Sequence, residues 1–461
     1  SNFQKTSDWG GDHGVPINAV SDGERVYLGW SGGEASTPII AVDPDTGEKL
    51  WGQRRFYAGA HLFAVDEDDL FAGPNRDAVY RMDKTTGGFK PFPSTGSTEL
   101  PTPIAAEDGT RPRPSGLLAR DGKLYFAYDE LDRIVIVDVE TGKVDREMPA
   151  PAPGRMAWAG EAEACFISGE NVLRIDFTSG RITTAVEGLD APMGLTTDDA
   201  GRIYVAVWGD AHQVLIFDAK NDRVREIGLP GGRQIVGPWQ KTGFHRPLGL
   251  AVDSDGRLWV GERDDTPKRW SVWSPQDQLI AEYFGPSHYG ADGGALNPED
   301  PYLGVGQMCE WRVDPETGRA ECLGTIARQG HGHNVEFQLN AHSSRYVKVG
   351  EQWFLAQGLH RYFAMLKLFR KDGPGDFKLV GVIGNAYQQF SGHRDNRPMP
   401  HSVHPLFEGH KGEVFAWADL NNDGDVQADE LTFRDLGPEI SGGWQHLGVN
   451  DDLTAYMPMK N

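Results

Sequence analysis

The chain has 461 residues, with 58 glycines, 29 prolines, 13 Trp, 13 Tyr and 21 Phe. A composition this dense in turns and aromatics excludes collagen, coiled coil and disorder, and favours many short strands over packed helices. Its 45 Lys and Arg against 67 Asp and Glu leave a net charge of −22, which argues against a nucleic acid or anionic membrane as the main partner but leaves room for a local basic pocket.

Length alone suggests about three domains, but an internal repeat changes that expectation. One unit recurs along the chain: an apolar strand, an Asp-Gly type turn, a second strand, a polar loop, a third strand ending in Asp, then a Thr-Gly turn. Weaker copies begin near Val15, Gly59 and Ala152, and clear ones span 113–144, 191–224 and 246–279. Further weak copies begin near Ser344 and Ser402. Each holds four short alternating runs joined by hairpin turns. Four-stranded units that cannot bury both faces alone must stack, so the chain is expected to be all-β. It reads as a single β-propeller over 1–461 with seven or eight blades, eight fitting the repeat count better.

Two segments fall outside the repeat. Residues 285–306 read as a long insertion followed by an isolated hairpin, CEWRVDPETGRAECLGTI. The last stretch, 444–461, supplies half a blade, which either completes the first sheet as ring closure or marks a chain that continues into a larger protein. No run of 18 apolar residues marks a transmembrane helix. The start, SNFQKTSDWGG, has no signal peptide, as expected of either a processed secreted protein or a cytosolic one. Of the three cysteines, Cys309 and Cys322 flank a turn and are either a cross-hairpin disulfide or, with Cys165, free thiols.

The segment GLAVDSDGRLWVGE (249–262) resembles the NHL-repeat pattern, and IIAVDPDTGEKLWGQ (39–53) is similar to the repeats of quinoprotein-type propellers. Both resemblances imply the propeller fold and leave function open, because propellers host binding, hydrolysis, elimination and oxidation alike.

The most specific local motif is Asp419-Leu-Asn421-Asn-Asp423-Gly-Asp425-Val-Gln427-Ala-Asp-Glu430, which resembles the calcium loops of EF-hands and dockerins. The resemblance implies Ca2+ held by Asp419, Asn421, Asp423 and Glu430, with the Asp425 carbonyl and Gln427 through water. The flanks EVFAWAD and ELTFRDL read as strands, so the ion is expected to be structural. A filled, non-switching calcium loop points to a secreted or periplasmic location.

Nine of the 14 histidines fall within 331–446. On a strand His331 and His333 share a face and could converge on a second divalent metal. His360-Arg361-Tyr362 and Arg394 make the late repeats locally basic, which suits a ligand carboxylate or sulfate. The loop after the second strand of each repeat carries polar and aromatic residues that a propeller gathers on one face. The expected catalytic set is His360, Arg361, Tyr362, His331, His333, Arg263 and His401. Trp208, His212, His245, Glu262 and Arg394 are the expected substrate-binding set.

No P-loop, H-E-x-x-H or dinucleotide fingerprint occurs. The leading expectation is an extracellular propeller enzyme, a lyase or hydrolase, acting on an acidic, uronate-containing glycan. Elimination needs a cation or metal on the carboxylate and a His, Tyr or Arg base. Hydrolysis needs paired carboxylates, for which Glu34, Glu262 and Asp264 are the candidates. The alternative is a non-catalytic glycan- or protein-binding module of a larger secreted protein. A quinoprotein-type dehydrogenase is disfavoured, since the adjacent cysteine pair and tryptophan-docking pattern are absent.

Overall fold

The computed structural model describes residues 14–31, 37–56, 61–75, 77–105, 109–264, 266–285, 293–306, 308–328, 330–331, 333–337, 339, 343–360, 363–389, 397–441 and 448–460. Among them there is no α-helix, only short 3-10 turns between strands, and no helix long and apolar enough to cross a membrane. The strands divide into two compact units, one of residues 1–233 and 241–286, the other of 234–240 and 287–461.

The first unit contains six four-stranded antiparallel sheets, here blades 1 to 6, spanning 16–56, 62–101, 116–149, 156–186, 192–227 and 247–284. Side chains alternate across each inner strand, so a strand with neighbours on both faces must be apolar throughout. In blade 3, Leu124, Phe126, Val135 and Val137 pack toward blade 2, while Ala127, Ile134 and Ile136 pack toward blade 4. Six such clusters fill the interfaces 1–2, 2–3, 3–4, 4–5, 5–6 and 6–1. The innermost strands meet in the same cyclic order, and Pro16–Ser21 of blade 1 lies directly against Pro247–Val252 of blade 6. This unit is a closed β-propeller. The outermost strands, such as Val144–Pro149, are mostly exposed and charged, as unpaired edges should be.

Two turn devices generate the repeat seen in the sequence. On the turn between first and second strands, the Asp253 carboxylate accepts the Asp255 and Arg257 amides at 3.1 and 3.0 Å. Its other oxygen accepts Arg257 Nε at 2.7 Å and Trp259 Nε1 at 3.0 Å. Asp198 does the same with Arg202 and Tyr204, and Asp22 accepts the Arg25 amide and Tyr27 hydroxyl. One carboxylate thus closes the turn and anchors a buried aromatic. Between third and fourth strands, Asp43, Asp83 and Asp138 accept the amides of Thr46, Thr86 and Thr141. Each turn ends in a glycine at positive φ (Gly47, Gly87, Gly142), the left-handed position a Cβ would strain.

The second unit contains a five-stranded sheet, in which Gly237–Pro238 pairs with Arg319–Thr325, a six-stranded sheet over 343–434, and a hairpin at 448–456. An aromatic core of Phe337, Phe369, Phe377, Phe407, Phe415 and Trp417 fills it.

The four-stranded sheets therefore number six among the described residues, against the seven or eight expected. The chain does not read as one run of blades over 1–461, because strands after residue 286 enter larger sheets. The expected insertion at 285–306 supplies Ala295–Asn297 and Asp300–Gly306 to the five-stranded sheet, so the following hairpin is not isolated. The C-terminal strands do not complete the first sheet: Val449 packs with Val347, Ala356 and Leu366 of the second unit, and blade 1 closes the ring with its own strand. Cys165, Cys309 and Cys322 are buried free thiols. Across the hairpin Cys309 faces Thr325 and Cys322 faces Trp311, so the pair is out of register for a bond.

Candidate functional site

In a blade the loop after the second strand and the entry to the first strand lie on one face, the mouth face. In blades 5 and 6 these loops bring together Trp208, His212, His245, Arg246, Glu262, Arg263 and Asp264. Trp208 follows the second strand of blade 5, and its indole N–H donates to the Pro247 carbonyl of blade 6 at 2.7 Å. The Arg263 amide donates to the Arg246 carbonyl at 2.9 Å. Both guanidinium groups lie over the Trp208 ring, 5.7 Å from its centroid, a cation–π arrangement that holds two exposed cations side by side. Neither guanidinium is in an ion pair with any described residue.

Beneath these two arginines lies a buried ionic network. Glu262 accepts Arg233 Nε at 3.1 Å, the His245 amide at 2.7 Å and Arg269 Nη1 at 2.7 Å. Asp264 accepts Arg233 Nη2 at 2.6 Å and meets His245 Nδ1 at 2.9 Å, and Glu282 pairs with Arg269 at 2.8 Å. The Arg233, Glu262, Asp264 and Arg269 side chains are wholly removed from solvent. Glu262 and Asp264 are therefore neutralised scaffold groups, not the exposed acids that paired-carboxylate hydrolysis requires. Glu34, the third candidate, lies outside the described residues.

His212 is half-buried, its ring 5.4 Å from that of His245. Its Nδ1 accepts the Arg246 amide at 3.3 Å. Burial, reinforced by His245 and Arg246, holds its pKa below the ordinary value, so the ring is neutral at pH 7. With Nδ1 accepting, Nε2 carries the proton. His212 thus offers a donor, not a base.

The remaining expected residues belong to the second unit. His401 is fully buried among Phe337, Phe407 and Phe415, and its Nε2 meets the Asn385 carbonyl at 3.1 Å. Burial pushes its pKa down to about 4; it is a core imidazole, which corrects its expected catalytic role. His333 Nδ1 meets the Gly424 carbonyl at 2.7 Å, and Asn334 bonds Val426 in both directions, so this segment clamps the 419–430 loop. His331 is exposed. Arg361, Tyr362 and Arg394 lie outside the described residues, as does the side chain of His360. Among the described residues no three His, Cys, Asp or Glu side chains gather closely enough to hold a metal, so no second site on histidines is formed there.

In the 419–430 loop, Asp423 accepts the Asp425 amide at 2.8 Å and side-chain N–H groups of Asn421 and Gln427 at 2.9 Å. Glu430 accepts the Leu420 amide at 2.8 Å and Trp417 Nε1 at 3.0 Å. Burial opposes its charge, but these donors outweigh it and hold the carboxyl below its usual value. Asp419 Oδ1 and Gln427 Oε1 are buried without a hydrogen-bond partner. Oxygen donors left bare inside a loop fit a hard cation.

One residue of the first unit escaped the sequence reading. Aligning PSGL (114–117), PMGL (192–195) and PLGL (247–250) with PGRM (153–156) places Arg155 where Gly116, Gly194 and Gly249 stand. An arginine at a glycine position next to the propeller axis was the available signal.

No family model and no curated protein sequence matches the chain. Among solved structures, similar chains occur in a mitotic checkpoint complex (14% identity, 58% of this chain and 72% of that one, TM-score 0.36). Others are Kuenenia stuttgartiensis hydrazine synthase (15% identity, 69% and 97%, TM-score 0.41) and U3-55K (12% identity, 68% and 96%, TM-score 0.40). Similarity at this level says nothing about function; the propeller assignment rests on the closed ring of blades.

Proposed function

We propose that the first unit is a recognition module for an acidic, uronate-containing glycan, bound across the mouth face of blades 5 and 6. The observation that carries this reading is the pair Arg246 and Arg263, exposed, aligned on Trp208 and without a carboxylate partner among the described residues, in a chain of net charge −22. An arginine fork matches a carboxylate or sulfate bidentately. The cations sit on an open rim, which suits an extended chain. Binding is favoured over turnover because Glu262 and Asp264 are neutralised and His212 commits its acceptor nitrogen. The test is titration with polygalacturonate and a neutral glucan, alongside absorbance at 235 nm for unsaturated products. Polygalacturonate should bind selectively, and Arg246→Gln/Arg263→Gln together should weaken it by roughly tenfold or more. Equal affinity in the double variant would overturn the reading, and a rise at 235 nm would restore the lyase.

We also propose that the 419–430 loop, whose carboxylates are not drawn together in this structure, closes on Ca2+ through Asp419, Asn421, Asp423, the Asp425 carbonyl and Glu430. The bare Asp419 and Gln427 oxygens support this. The ion would neutralise the loop and tie its flanking strands together. Calcium should raise the melting temperature of the wild type and chelation should lower it, with Asp419→Ala/Asp423→Ala insensitive to both. A wild type indifferent to calcium would refute the site. A calcium-filled loop supports a secreted or periplasmic setting.

A further inference from the structure

The six innermost strands enclose an axial channel of about 880 Å³, within the size range of ligand sites. Its lining runs from Asn18, Gly116 and Arg155 down to Asp121, Glu161 and Asp199 on the Asp-Gly turns. Its described lining includes the turns that follow the innermost strands, so the channel opens on the turn face.

Arg155 precedes the innermost strand of blade 4, three blades from blade 1 in either direction. Its guanidinium donates to Asn18 Oδ1 at 3.2 Å and to the Ile17 carbonyl at 3.1 Å, both in blade 1. The side chain therefore spans the ring and places its charge on the axis. Glycines at the equivalent positions of blades 3, 5 and 6 leave neighbouring strands in close approach there. No described carboxylate pairs with Arg155. Burial, with repulsion from Arg263, lowers its pKa to about 10. A desolvated guanidinium without a counter-charge is costly, and a carboxylate is its best-fitting partner.

We propose that the axial channel is a binding site for a small monocarboxylate, anchored by Arg155 and entered from the face of the Asp-Gly turns. The open end sets the size and charge of the ligand. Asp121, Glu161 and Asp199 are exposed there and none is in an ion pair with a described residue, so the entrance repels polyanions far more strongly than a ligand of one charge, which can reach the cation behind. The other lining arginine, Arg120, lies 4.0 Å from the Trp158 ring centroid and donates to the Gly160 and Glu161 carbonyls. It is held against the wall, which leaves Arg155 as the anchor.

The experiment is calorimetric titration of the full chain with butyrate and with sulfate. Butyrate should bind one-to-one and more tightly than sulfate. Arg155→Gln should weaken butyrate by about tenfold or more, and Arg155→Lys by less, since the charge remains without the fork. Arg246→Gln alone should leave butyrate binding unchanged, because Arg263 but not Arg246 acts on the Arg155 charge, which separates this site from the mouth. If Arg155→Gln does not fold, Asn18→Ala tests the same geometry: releasing one anchor of the guanidinium should alter butyrate affinity. No butyrate binding to the wild type, sulfate bound more tightly, or affinity unaltered in both Arg155→Gln and Asn18→Ala would overturn the proposal.

Discussion

Replacing Arg269 with methionine is expected to destabilise the first unit by about 3–5 kcal/mol, the usual cost of removing one partner from a buried ion pair. Arg269 bridges Glu262 at 2.7 Å and Glu282 at 2.8 Å, and donates to the Gly243 carbonyl at 2.8 Å. Its side chain is wholly buried. Without it, two carboxylates in the wall of blade 6 lose their nearest cation, and water cannot reach them. Methionine keeps the length and apolar stem of the side chain, so the loss reports charge, not a cavity. Urea unfolding at pH 7 should show the midpoint falling with an unchanged slope. A loss below about 1 kcal/mol would mean that Arg233 carries the network alone. The same network orients the His245–Arg246 segment, so Arg269→Met should also weaken polygalacturonate binding.

Gly194→Ala is expected to be nearly as damaging, about 3 kcal/mol, at the upper end of overpacking costs. A Cβ there would stand 2.2 Å from the Leu248 carbonyl oxygen and 3.0 Å from the Ala206 Cβ. The first contact is with the backbone of blade 6, which cannot rotate away. Relief requires blades 5 and 6 to part near the axis, where the cluster containing Val214, Phe244, Leu250 and Trp273 is packed. Gly160→Ala is the matched control. Its Cβ would meet only the Glu163 Cβ at 3.9 Å, so thermal unfolding should shift by no more than about 0.5 kcal/mol equivalent. Equal behaviour of the two variants would refute the close-approach account of the Pro-x-Gly-Leu repeats.

Trp208, His212, Glu262 and Arg263 stand out by their place in the repeat, and the structure brings them, with His245, to one stretch of rim. Their roles were not legible. Glu262 and Arg263 are neighbours in sequence, yet one points into a buried network and the other into solvent, because successive residues at a strand end face opposite sides. His401 looked like one of a group of reactive histidines and is an aromatic-core residue. Its burial depends on Phe337, Phe407 and Phe415 arriving from separate segments.

Local sequence chemistry is enough to build this protein from short antiparallel strands in four-stranded units. The chemistry that does so is local: alternation of apolar residues, an aspartate capping the amides two to four residues on, and a glycine where φ must be positive. It also determined the buried aromatic in each Asp-x-x-x-Arg-x-Tyr/Trp turn, since donor and acceptor lie within six residues. Long-range packing, in contrast, closes the ring at six blades among the described residues and takes residues 234–240 out of the first unit into a second sheet. It alone decided that Arg155 reaches from blade 4 to blade 1. Each of these joins groups far apart along the chain, where pairing is settled by packing volume and charge neutralisation across the whole unit, which no local pattern encodes.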